Sequence, residues 1–187
     1  MQRRGLVVLG MQEGLFGQSA TWCHDDGHDV DVKGIAARID QLLDYAEAAW
    51  MSSVHVAMRL EDSHGDQAVT NAMMDGSSGV SLLRGFVSRH PHVEQRAAWP
   101  GRDAFRGSDL DQLLGEHGIG QIVIAGPTIA GMLDATCRTA YALGYEVVVP
   151  ADCLLSLHEA ERQVYVETVL GAYVRVLEMQ DIIGVAA

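Results

Sequence analysis

Few side chains in this sequence have the types and spacing that carry chemistry. The three cysteines, Cys23, Cys137 and Cys153, follow neither a metal-binding nor a redox pattern. Lys33 is the single lysine. His24 and His28 stand among Asp25, Asp26, Asp29 and Asp31, a mixture of imidazole and carboxylate that can hold a divalent ion. The same residues also read as a solvated acidic loop. Arg59 follows an apolar run. It is placed either to hold a substrate carboxylate with two parallel hydrogen bonds or to pair with Glu61 or Asp62.

Chemistry of this kind needs a frame, and hydrophobic periodicity supplies one. Residues 122–151, IVIAGPTIAGMLDATCRTAYALGYEVVVPA, read as strand, Gly-Pro turn, helix, Gly-Tyr break and strand. GLVVL at 5–9 is a short apolar run suited to a buried parallel strand. Ile35, Ile39, Leu42, Ala46 and Ala49 recur at helical spacing, predicting an amphipathic helix over 34–50. Further strands are expected at 54–58, 93–98, 121–125, 146–149 and 173–177. Helices are expected at 81–89, 109–117 (capped by Ser108 or Asp109), from the Gly-Pro turn to about 143, at 158–170 and at 179–183. The polar stretches 17–33 and 61–79 read as loops. Strands alternating with helices imply a three-layer α/β/α, Rossmann-like domain over residues 1–187, with a parallel sheet of about six strands. In such sheets ligands bind beyond the carboxyl ends of the strands, here residues 10–16, 59–64, 99–105 and 126–132.

Composition narrows the function classes. With 187 residues, 48% of them hydrophobic, the chain can bury a full core. Its formal charge of −12 repels phosphate backbones, which argues against nucleic acid as a partner. No apolar run approaches the length of a membrane span, and the cysteine usage fits a reducing cytoplasm. The excess of Ala, Arg, Gly and Asp over lysine fits a GC-rich bacterial source.

Three ordered segments carry a family resemblance. They are LVVLGMQEGLF (6–16), WPGRDAFRGSDLDQLL (99–114) and AGPTIAGMLDATCRTAYALGYEVVVPAD (125–152). Together they resemble the isochorismatase-like superfamily of cysteine hydrolases. That group includes nicotinamidases, carbamoylsarcosine-type amidases and isochorismate-cleaving enzymes. The resemblance spans roughly residues 5–183 and implies the family's Rossmann-like hydrolase fold, commonly as a homo-oligomer of two or more copies.

The family's amidases use an Asp, a Lys and a Cys. The thiolate attacks the substrate carbon, the carboxylate moves the thiol proton, and the lysine favours the charged pair. Matched to this sequence, the Asp position is Gly10, the Lys position Trp99 and the Cys position Met132. None of these can play its part. Cys137 lies five residues past Met132, about 140° around a helix, and is no substitute. The resemblance leaves Asp103, Asp62 and His64 as candidate replacement groups. Asp62-Ser63-His64 is also similar to a remnant of the family's metal loop, but one histidine there predicts no metal site, and no cofactor is expected.

The candidate ligand-binding residues are Gln12, Phe16, Arg59, Trp99, Phe105, Thr128 and Met132. Gln12 either braces its turn or meets the ligand. Asp103 either supplies an acid or helps start the next helix. Trp99 and Met132 either wall an apolar pocket or fill it as core. Pro127 removes one backbone N–H from the turn and leaves those of Thr128 and Met132 as donors for an anion. Three functions follow as expectations. One is a repurposed member that binds a small aromatic or carboxylated molecule without triad hydrolysis. The second is a hydrolase with a substitute acid. The third is a non-catalytic structural subunit.

Overall fold

The computed structural model describes residues 3–16, 31–58, 84–98, 102–128, 131–156 and 159–184. Its centre is a parallel sheet. β1 (Arg3–Leu9) is followed by a single helical turn, α1 (Glu13–Phe16), and by the long helix α2 (Val32–Ala48). β2 (Ser52–Met58), α3 (Arg84–Arg89), β3 (Glu94–Ala98) and α4 (Leu110–Glu116) come next. β4 (Ile119–Pro127), α5 (Met132–Ala142) and β5 (Glu146–Pro150) form the central strand-helix-strand unit. The chain continues through β6 (Leu154–Leu155), α6 (Glu159–Val164), a wide turn at Tyr165–Val169, β7 (Arg175–Leu177) and α7 (Met179–Gly184).

The strand order is β3-β2-β1-β4-β5-β7, with β6 paired to the end of β4, and every pairing is parallel. The seventh strand beyond the expected six is β6, two residues long and too short to leave a period in the sequence. β1 and β4 are neighbours, yet the chain leaves β1 toward β2 and leaves β4 toward β5. Their carboxyl ends are therefore the switch point at which a doubly wound sheet opens a crevice.

Burial follows from the same pattern. Leu6 to Leu9 of β1 and Ile122 to Ala125 of β4 are fully buried, as central parallel strands covered on both faces require. α2 lays Ile35, Ile39, Leu42, Leu43 and Ala46 onto the core. Asp31 caps it by accepting the Gly34 N–H at 2.8 Å. That cap corrects one expectation: helix begins at Val32, so Lys33 lies exposed in its first turn and not in a loop. At α4 the working cap is Ser108, whose Oγ accepts the Leu110 N–H at 3.2 Å, while Asp109 makes no side-chain cap bond. The expected helix at 158–170 keeps regular form only to Val164. There it widens into a π turn and then a 3₁₀ turn at Leu170–Ala172. The rest of the 17–33 stretch and all of the 61–79 stretch lie outside the described residues.

Candidate active-site corner

The switch point is built by a turn that only glycine suits. Gly10 leaves β1 at φ +60°, in the left-handed region. A β-carbon there would lie 2.9 Å from Leu15 Cδ1 and 3.3 Å from Pro127 Cγ. One strand over, Gly126 has φ +141°, and a β-carbon on it would meet the Leu9 carbonyl oxygen at 2.7 Å. The β1 and β4 backbones thus approach too closely for side chains between them. Leu15 and Pro127 are the side chains that a β-carbon at position 10 would meet.

Backbone bonds lock this turn. The Gly10 N–H donates to the Val56 carbonyl at 3.0 Å, and the Gln12 N–H to the Gly10 carbonyl at 2.7 Å. The Met11 N–H donates to Nε2 of His55 at 3.0 Å, and Nδ1 of His55 bonds Oε1 of Gln95 at 2.7 Å. Accepting from Met11 leaves Nε2 without a proton, so Nδ1–H is the donor to Gln95. Burial disfavours the charged ring and lowers its pKa from 6.5 to about 4, while the bond to Gln95 pulls the other way. His55 was not among the residues singled out from the sequence. Its one signal there is a lone histidine in the otherwise small and apolar run SSVHVAM.

On the β4 side, the Thr128 N–H and hydroxyl both face the Leu155 carbonyl, at 2.8 and 3.2 Å. This corrects the expectation that Thr128 offers its N–H to an anion: β6 already holds it. Gly131, at φ +74°, starts α5 without a side-chain cap bond. The Met132 side chain is fully buried within the hydrophobic core.

The remaining candidates separate clearly. Gln12 is fully buried in the turn, which favours bracing over ligand contact. Asp103 accepts the Phe105 N–H at 3.0 Å on one oxygen and the Thr139 hydroxyl at 2.7 Å on the other. Thr139 is seven residues past Met132, about 10 Å along the helix axis, so Asp103 is a strut against α5 distant from the corner. Thr136 assists by accepting the Ala104 N–H at 3.0 Å. Phe105 does not join the corner either. Its ring lies 6.0 Å from that of Tyr145, which precedes β5 at the amino end of the sheet. Phe16 closes α1, with only its backbone described, and Arg59, Asp62, His64 and Trp99 lie outside the described residues.

Nor do the two cysteines among the described residues supply a nucleophile here. Cys137 and Cys153 are both buried and unbridged. Burial and the neighbouring Asp134 push the Cys137 thiol far up, and burial and Asp152 push Cys153 up to about 12. Among the described residues no three His, Cys, Asp or Glu side chains gather as a metal site, and no helix is long and apolar enough to cross a membrane. A wide-open groove of about 760 Å³ runs along the edge formed by β3 and the start of α4, lined by Ala57, Gln95, Arg96, Ser108, Asp109 and Gln112. Gln95 joins this groove to the Gly10 turn through His55.

A family model for the isochorismatase domain matches residues 4–181. The chain belongs to the isochorismatase family. Solved structures agree on the fold. An isochorismatase family protein from Burkholderia thailandensis is 20% identical with a TM-score of 0.74, covering 97% of this chain and 94% of that one. A cysteine hydrolase from Pseudomonas syringae pv. phaseolicola is 16% identical with a TM-score of 0.75, covering 97% and 91%. N-carbamoylsarcosine amidase from Thermoplasma acidophilum is 16% identical with a TM-score of 0.68, covering 95% and 96%. No curated protein matches the chain by sequence. At these identities the isochorismatase fold is what the structures share with this chain.

Proposed function

We propose that this isochorismatase-family chain does not run thiol hydrolysis. It binds a small carboxylated or aromatic molecule, and any catalysis left to it is positioning of that molecule for a step without a nucleophile. The carrying observation is Gly10 itself, which has no carboxylate and against whose α-carbon Leu15 and Pro127 pack. A general base has to be within hydrogen-bond reach of the proton it takes. Gly10 has no side chain to serve as one. The engagement of Asp103 with Phe105 and Thr139 weighs against its use as a replacement acid. We assign the bound molecule to the open groove at Gln95, which the His55 ring links to the Gly10 turn.

One observation favours a second reading. Met132 is fully buried, which suits a structural subunit whose former pocket is packed as core.

The test is hydrolysis of isochorismate and a panel of primary amides. The native chain is compared with a variant combining Gly10→Asp, Leu15→Ala, Trp99→Lys and Met132→Cys. Leu15→Ala is included because an aspartate at position 10 otherwise strikes Leu15. The native chain is expected at the uncatalysed rate, with any gain confined to the variant. Turnover by the native chain sinks the proposal. Absence of heat or NMR shifts on adding carboxylated aromatics to the native chain favours the structural subunit.

A further inference from the structure

The other end of the sheet carries a feature that the corner at Gly10 does not use. α2 ends in a left-handed cap. The Ala49 N–H donates to Tyr45, the Trp50 N–H to Glu47 and the Met51 N–H to Ala46. The residue in the left-handed position is Trp50, at φ +55°. Glycine suits this position best, and a bulky residue there is strained. The indole is also 95% exposed. A strained backbone that holds an aromatic ring in water is not explained by the stability of the fold.

Beside this ring lies a cavity of about 450 Å³ at the amino ends of β2 and β3, lined in part by Glu47, Trp50, Met51, Ser53, His92 and Glu94. Two glutamates and one tryptophan are among its lining residues, with no lysine or arginine. Glu47 is near His92, with 3.5 Å between Oε2 and Nδ1. Glu94 pairs with Arg96 at 2.9 Å and has His117 at 3.9 Å. On the floor, Ser53 is 6% exposed, and its hydroxyl has no hydrogen-bond partner among the described residues. A buried hydroxyl without a partner is costly in a native protein and calls for one.

These features select the occupant. An anion is repelled by Glu47 and Glu94. A second copy of a chain with formal charge −12 meets the same repulsion at an acidic rim. A metal ion lacks a third ligand among the described residues. An alkylammonium suits all three kinds of group: its charge is drawn to an indole face and to carboxylates, and its N–H groups can donate to a hydroxyl.

We propose that this cavity binds a small primary alkylammonium, held by Trp50, Glu47, Glu94 and the Ser53 hydroxyl. The probe is butylammonium chloride, titrated at constant ionic strength and followed through indole and backbone N–H signals by NMR. Trp50→Phe assigns the indole resonance. The controls are 1-butanol, which is neutral, and tetramethylammonium, which has no N–H. Saturable shifts of the Trp50 indole and of the Met51 and Ser53 amides are expected with butylammonium, with weaker binding of tetramethylammonium. Glu47→Gln and Glu94→Gln are each expected to weaken binding about two- to five-fold, the scale of a partly exposed ion pair. Equal shifts with butanol, absence of saturation, or unchanged affinity in both Gln variants would overturn the proposal. So would a response confined to a lysine-rich peptide, which would make this face a protein-docking surface.

Discussion

The two ends of the sheet are built on opposite plans. At the carboxyl end, where this fold usually places its chemistry, the β1 and β4 backbones close on each other. Among the described residues, Gly10, Gly126, Leu15, Pro127 and Met132 make that corner tight and largely apolar. At the amino end, a strained cap puts Trp50 in water beside two carboxylates and an unpartnered hydroxyl. On the proposed reading, the fold does not depend on the site. The apolar strands hold the sheet in register whether or not the corner keeps polar groups, so the corner can lose its chemistry while the architecture stays.

The contrast can be broken from either side. The largest effect is expected at the closed end. Gly126→Ala drives a β-carbon against the Leu9 carbonyl, which cannot step aside as a side chain would, and about 3–5 kcal/mol of stability is expected to be lost in urea denaturation. A loss below about 1 kcal/mol would mean that the strands separate more easily than the geometry implies.

Next is the histidine behind the Gly10 turn. The pKa of His55 is 6.5 when unfolded and about 4 when folded, so the unfolded chain takes up its proton first as pH falls. The stability from keeping the ring neutral is therefore complete above about pH 6.5. It declines between 6.5 and 4 and then levels off, a total of about 3 kcal/mol. His55→Gln should flatten that part of the pH–stability curve. An unchanged slope in the variant would assign it to other groups.

A smaller effect is expected at the strut. Asp103→Asn weakens the links to Phe105 and Thr139, and a loss of about 1–2 kcal/mol is expected with no change in ligand binding. The same variant with intact stability and altered turnover would restore Asp103 as an acid. The smallest effect has the opposite sign. Trp50→Gly relieves the left-handed cap and should stabilise the chain by about 0.5–1 kcal/mol while removing the alkylammonium response. A destabilised variant would mean that the indole packs where the structure leaves it exposed.

Much of the fold was legible in the sequence, because long apolar runs and helical spacing each report one element. GLVVL and the 122–151 unit appear as read, with ends shifted by one to three residues, and so does the α2 stripe apart from Ala49, which lies exposed at the cap beyond the helix. β6 and the π turn were not legible, since two residues carry no period and a widened turn keeps helical spacing. The site was legible in part. Gly10 and Met132 could be read as unable to do proton transfer or nucleophilic attack. Leu15 could not be read as the residue that fills the gap, because nothing in EGLF says which way its leucine points. His55 was missed because a histidine within a strand shows no partner until β1 and β3 are set beside it. The likeness of Asp103 to an acid came from its place in a motif, whereas its role is fixed by Thr139, 36 positions away.

The most direct test of a carboxyl-end corner filled by core is the reactivity of a thiol placed there. The experiment uses Met132→Cys in a Cys23→Ser background and a thiol-labelling reagent under native conditions. Cys137 and Cys153 serve as internal standards, because both are buried and their thiols are pushed up. The introduced thiol is predicted to label as slowly as those two, at a rate set by opening of the chain. Rapid labelling well ahead of Cys137 and Cys153 would show an open, reactive corner and contradict the account.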